Sequence, residues 1–299
     1  MKMKQLTAGM IALVMSMSLP MTTYAADWYL EDGSITVDAG DSGQTVTQGS
    51  TSTPDEAPVI TQRESSAETS NTITINASEN ATANVTIKDI NIKSSNDAID
   101  VTGSSSANIT LEGDNKIFSE TGSALHVSDG NVTINGSGSL KAEIQDKLGP
   151  DSPNYHNHNA KIGSHKSEDM SGSIHITGDA TVKTDDNTAS DCEGDGAGIG
   201  SGEYGEMSGN IVIDGNAQVE VSSNDRGAGI GTGDASNADP AQVRGNRIQI
   251  SGGVVTANGG ADGGAGIGGG KGTAVSLKNG GSGVTITDGT VTANGGKGA

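Results

Sequence analysis

The stretch GDGAGIGSG at 194–202 constrains this chain more than any other, because it recurs as RGAGIGTG at 226–233 and GGAGIGGG at 263–270, and begins again as KGA at 297–299. The alanines Ala197, Ala228, Ala265 and Ala299 stand 31, 37 and 34 residues apart. Periods of that length mark architectures in which each unit covers its apolar face with its neighbours. Composition leads the same way. With 46 glycines in 299 residues and 2% aromatic content, the chain lacks the bulky side chains of one large globular core. A thin, elongated core is the expected alternative.

From residue 71 onward, Val and Ile alternate with polar residues in short paired runs separated by Gly, Asp or Asn corners. NVTI at 84–87 is followed by INI at 90–92, NITL at 108–111 by KIF at 116–118, and NVTI at 131–134 by SLKA at 139–142. The series continues as SIHI and TVKT, NIVI and QVEV, RIQI and VVTA, and ends as GVTI and TVTA at Ala293. Period-two alternation buries one face of each strand, which makes Ile211, Ile213, Val219 and Val221 an inward set. His126 and His175 fall between inward positions and are expected to face outward. The glycine segment supplies a third piece of each unit. It degrades toward the N-terminus as NAKIGS at 159–164, SALHV at 123–127 and DAIDV at 97–101, equating Ala160, Ala124 and Ala98 with Ala197. Three short strands per coil, joined by corners, predict an all-β solenoid, the right-handed parallel β-helix. Ala197, Ala228 and Ala265 would be its structural repeat, with Ile199, Ile230 and Ile267 stacking inward. Gly264, Gly266 and Gly269 fit G-x-G-x-x-G, but no helix is expected to follow them, and the other copies lack Lys271. The glycines are therefore assigned to the scaffold and not to a nucleotide.

The first 25 residues have the layout of an export signal: Lys2 and Lys4, an apolar run from Leu6 to Leu19, and small residues at Thr23 and Ala25. Cleavage is expected after Ala25, with Ala26 the next alternative. The apolar run is shorter than the roughly 20 residues that span a bilayer, so no transmembrane segment is expected after removal. Residues 26–70 are looser, with strand candidates at 34–37, 44–47 and 59–61. They form an irregular N-terminal cap or linker in which the only tryptophan, Trp28, covers an apolar end. Residues 71–299 are the repeats, and the unfinished KGA copy predicts that they continue.

The string SSANITLEGDNKIF from Ser105, the later SALHVSDGNVTINGSGSLKA, GAGIG, and RIQISGGVVTANGGADGGAGIGGG at 247–270 resemble exported β-helical surface proteins of anaerobic and gut bacteria, a carbohydrate-binding-domain or adhesin-like family with GAGIGGG repeats. The resemblance implies a parallel β-helix displayed outside the cell. It also implies polysaccharide binding, sometimes with calcium, and it offers no catalytic residues.

One irregularity suggests a site. The link from the second strand to the third segment spans six to eight residues in most units, but 18 from Ala142 to Ala160 and 13 from Thr184 to Ala197. The first long link carries Tyr155, His156 and His158, with His165 just beyond; the second carries Asp185, Asp186, Asp191, Cys192, Glu193 and Asp195. His156, His158, Asp185, Asp186, Asp191 and Glu193 are the candidate ligand or metal residues. Imidazole beside carboxylate suits zinc, and carboxylates alone suit Ca²⁺. The alternative is two solvated loops. One cysteine excludes an intrachain disulfide framework.

A net charge of −20, which becomes −22 once Lys2 and Lys4 leave with the signal, opposes nucleic-acid binding. The leading expectation is a secreted or cell-surface binding module for polysaccharide or a host glycan, followed by a structural stalk of a larger surface protein. A polysaccharide lyase or hydrolase ranks last. Asp185-Asp186 is the one candidate carboxylate pair, and it has no basic residue nearby. Fold alone conveys no activity.

Overall fold

The computed structural model describes residues 26–145, 156–184, 194–235, 247–272 and 283–297. Among the described residues the structure is all β apart from one 3₁₀ turn at Leu30–Asp32, and no helix is long and apolar enough to cross a membrane. The strands stack in long parallel ladders, a solenoid-like arrangement.

A first ladder runs in parallel through Thr82–Lys88, Ser106–Glu112, Asn131–Gly136, Ser173–Ile176, Asn210–Ile213 and the start of Arg247–Asn258. A second runs back from the other end of Arg247–Asn258 through Gln218–Ser222, Thr181–Thr184, Ser139–Ile144, Asp114–Ser119 and Asn91–Ser94. A third joins Ile35–Gly40, Ile73–Ala77, Ile99–Val101, Leu125–Val127, Ile162–Gly163, Ile199–Gly200, Ile230–Gly231 and Ile267–Gly268.

Register places like on like. Val85, Ile109, Ile134, Ile176, Ile213 and Ile250 form one column of the first ladder. Leu140, Val182, Val219 and Val255 form one of the second. All are at most 2% exposed, as are Ile211 and Val221, so the period-two pattern places the core as expected. A one-residue slip would turn each column to solvent, which is why the pattern specifies the pairing so strongly. The last pairing strand, Gly283–Asn294, leaves Val284 and Ile286 exposed.

The third ladder corrects the sequence alignment. Ile99 pairs with Leu125, Leu125 with Ile162, and Ile162 with Ile199, so Ala98 and Ala124 correspond to Lys161 and Gly198, not to Ala160 and Ala197. The inward apolar residue sets the register, and the alanine precedes it by one position in the early repeats and by two in the later ones. Ile199 and Ile230 are fully buried, as are Ala197 and Ala228, whereas Ile267 and Ala265 are half-buried.

Residues before 71 pair in both senses. Ile35–Gly40 runs parallel to Ile73–Ala77 and antiparallel to Gly43–Gln48, a hairpin that alternation alone does not predict. Trp28 is 9% exposed, and its indole Nε1 donates to Asp55 Oδ2 at 2.9 Å.

Candidate metal centre

The glycine segments position the site without contributing a side chain to it. At Gly163, Gly200, Gly231 and Gly268, φ lies between 137° and 141°, a conformation L side chains rarely adopt. A Cβ at Gly200 would also overlap the carbonyl of Gly231 on the next rung. Just before, a backbone clasp closes each segment. The N–H of Ala160 donates to Ser164 O, Ala197 to Ser201, Ala228 to Thr232 and Ala265 to Gly269, at 2.9–3.1 Å.

The clasp brings the two flanks of each segment to the same edge, where the rungs interlock. Glu203 N–H donates to His158 O at 2.9 Å, Asp234 to Asp195 O at 2.8 Å and Lys271 to Arg226 O at 2.8 Å. The repeat here is a nine-residue block, at 158–166, 195–203, 226–234 and 263–271. Its first position stacks His158, Asp195, Arg226 and Gly263, and its last stacks Lys166, Glu203, Asp234 and Lys271.

These two columns converge on a buried charged cluster. His158 Nδ1 lies 3.3 Å from Asp195 Oδ2 and 3.1 Å from Glu203 Oε2. The side chains of Asp195 and Glu203 are only 4% and 5% exposed. Lys166 Nζ sits 2.5 Å from Glu203 Oε2, and Arg226 Nη1 is 3.7 Å from Asp195 Oδ2 and 3.9 Å from Asp234 Oδ2. Burial works against the Arg226 charge, but its hydrogen bond to Asp262 and the charges of Asp195, Asp225 and Asp234 overcome this and raise its pKa. Burial likewise raises the Asp225 carboxyl; Arg226 opposes the rise, while Asp195 and Asp262 reinforce it.

Of the six sequence candidates, His158 belongs to this cluster. The ring of His156 stands edge-on to it, with centroids 6.3 Å apart. Asp185, Asp186, Asp191 and Glu193 lie outside the described residues, as do Tyr155 and Cys192. Asp195 and Glu203 are not among the six candidates: the long links mark only their own residues, and Glu203 stands two places past Ser201, beyond the glycine segment. Aligning the nine-residue blocks would have found it.

A second cluster, also on the third ladder, occupies the earlier repeats. His126 Nδ1 is 2.8 Å from Asp100 Oδ1, and its Nε2 is 2.9 Å from Glu168 Oε2. The ring of His165 stacks on that of His126, with centroids 4.0 Å apart and an interplanar angle of 6°, and its Nε2 meets Asp97 Oδ1 at 2.7 Å. Burial disfavours the His126 charge, yet its hydrogen bonds to Asp100 and Glu168 and the charges of Asp97 and Glu168 raise its pKa from 6.5 to about 9. Burial pushes Asp97 upward, and His165, through its hydrogen bond and charge, more than reverses it. His126 and His175 sit at outward register positions as expected, but neither is free; His175 Nε2 is 3.0 Å from Asp214 Oδ2.

On the first ladder, outward residues form polar columns: Asn108 Nδ2 donates to Asn84 Oδ1 at 2.9 Å, and Thr110 Oγ1 to Asn135 Oδ1 at 3.1 Å. Farther along, Asn210, Val212, Arg247, Gln249 and Thr285 line a shallow groove of about 370 Å³. Comparison with protein-family models, with curated proteins and with solved structures finds no match for the chain.

Proposed function

We propose that this chain is an exported, non-catalytic binding or adhesion module, built as a right-handed parallel β-helix with three short strands per coil, whose ligand is a polysaccharide. The architecture is supported by parallel pairing of every third strand along the first ladder. Export is supported by Lys2, Lys4 and the apolar run that follows them.

The observation that carries the binding reading is a pair of neighbouring outward polar columns on the first ladder, one with Asn84 and Asn108 and the other with Thr110 and Asn135, with the Arg247 groove farther along. Rungs repeat every ~4.8 Å, so amides and hydroxyls recur at a fixed spacing suited to a polymer that presents hydroxyls at a fixed spacing of its own. Recognition would be polar, since few aromatic residues exist for sugars to stack on. A glycan array probed with the full chain, in calcium and again in EDTA, tests it: binding to a restricted set of polysaccharides supports the reading, and a blank array under both conditions removes it.

A further inference from the structure

We propose that His158, Asp195 and Glu203 form a binding site for one divalent cation of the zinc class, held between adjacent rungs of the third ladder. The proposal rests on three facts about these side chains.

The first is that their ligand atoms converge, all lying within 4.8 Å of one another. The two contacts of His158 Nδ1, at 3.1 and 3.3 Å, approach the edge of a tetrahedron with zinc bonds of ~2.0–2.1 Å, which is roughly 3.4 Å.

The second is that the cluster is short of hydrogen bonds where it is most buried. His158 Nδ1 and Asp195 Oδ1 are shielded from solvent and have no hydrogen-bond partner among the described residues, while Glu203 Oε2, equally shielded, is met by the ammonium of Lys166. A buried carboxylate oxygen without a partner, as at Asp195 Oδ1, is destabilising unless something satisfies it. A single imidazole nitrogen crowded by two carboxylates, with neither contact at hydrogen-bonding geometry, resembles a ligand shell more than an ion pair. The His126 cluster shows the contrast: both nitrogens of that ring are hydrogen-bonded, each to its own carboxylate.

The third is the donor set, one nitrogen and two carboxylates, which selects against calcium and magnesium, both of which prefer oxygen. Lys166 is the competitor for this place. It reaches Glu203 Oε2 from a side chain that is 43% exposed, so it can swing into water when a cation arrives. Asp195 and Glu203 come from the two ends of one block and His158 from the rung before, so the cation would bridge two rungs.

The test uses the full chain, stripped with EDTA and dialysed against micromolar Zn²⁺, with bound metal counted by mass spectrometry and affinity measured by competition with a chelator. One zinc per chain is expected, with Ca²⁺ unable to displace it. H158A and E203Q should weaken binding by on the order of 100-fold, beyond the 10–100-fold typical of outer-shell changes. H165A, in the other cluster, should leave affinity unchanged, and K166M should tighten it. Circular dichroism checks that each variant folds. Absence of retained zinc in the wild-type chain, displacement by calcium, or undiminished affinity in folded H158A and E203Q would each overturn the proposal. Should those two fail to fold, K166M decides on its exposed side chain, and an affinity no higher than wild type overturns the site.

Discussion

The third ladder is built in two ways along its length. In the early repeats its outward position carries a side chain, Asp100 and then His126, and the ionic cluster stands on the ladder itself. From Gly163 onward the same position is glycine with φ near 140°, and the charges move to the ends of the nine-residue blocks. Exposure follows the change. Side chains of the early cluster are 12% exposed at His126, 33% at Asp100 and 36% at Glu168, whereas Asp195, Glu203 and Asp234 are 5% or less. Similar residue types therefore give a partly exposed, hydrogen-bonded network in one place and a buried ion cluster in the other, where His158 Nδ1 and Asp195 Oδ1 lack hydrogen-bond partners among the described residues.

The strongest way to break this contrast is to put a side chain where the later ladder forbids one. Gly200→Ala forces Cβ into the Gly231 carbonyl at a φ that alanine avoids, and should cost about 3–5 kcal/mol. Asp100→Ala keeps an extended backbone and should cost about 1 kcal/mol, the hydrogen bond to His126. Urea unfolding of both variants reads the difference, and equal costs would dissolve the distinction.

Next is Arg226→Met, which removes a guanidinium that lies beside both Asp195 and Asp234. It should destabilise by about 3 kcal/mol in metal-free buffer. A cost below about 1 kcal/mol would mean that Arg226 is not what holds those carboxylates together.

The early cluster gives a smaller effect with a pH signature. His126 has its pKa raised from 6.5 to about 9, so its contribution is complete below pH 6.5 and is lost as pH rises toward 9. Asp97 and Glu168 have lowered values, through His165 in one case and through the His165 backbone N–H and His126 in the other, once burial is overcome. Their contributions are lost as pH falls through the acid range. Stability from this cluster should be greatest at about pH 5–6.5. His126→Gln should remove on the order of 2 kcal/mol at pH 6 and flatten the decline between pH 6.5 and 9. A urea midpoint with unaltered pH dependence would count against it.

The smallest effect is expected on the first ladder. Asn108→Ala breaks an exposed side-chain bond to Asn84 and should change stability by less than about 0.5 kcal/mol. If the polar column is the binding face, the same change should weaken polysaccharide retention on an affinity gel.

The ladders were legible in the sequence because burying one face of a short strand requires period-two alternation, and NIVI with QVEV states it outright. The glycine role was legible from repetition. The register of the third ladder was not, because Ala98 and Ala124 resemble Ala160 while standing one step nearer the inward residue. The candidate site was legible in one residue of three: the long links point to His158, Asp195 stands at the end of the second link outside the candidate set, and Glu203 lies across the clasp. His165 reaches Asp97 across 68 residues, a contact that no local pattern announces.

The Ala-to-Ser clasp separates two jobs along nine residues. Its interior is fixed by backbone geometry and the inward Ile, while the end positions carry charges that must oppose one another across rungs, because Asp195, Glu203 and Asp234 are buried. His158, Asp195 and Arg226, with Lys166, Glu203, Asp234 and Lys271, amount to a short line of letters that can change only in matched pairs. A library that varies these seven positions in charge-matched pairs should yield more folded chains than one that randomises them singly, each with a different charge sequence along one edge. That makes this edge a natural place to write new metal or anion specificities.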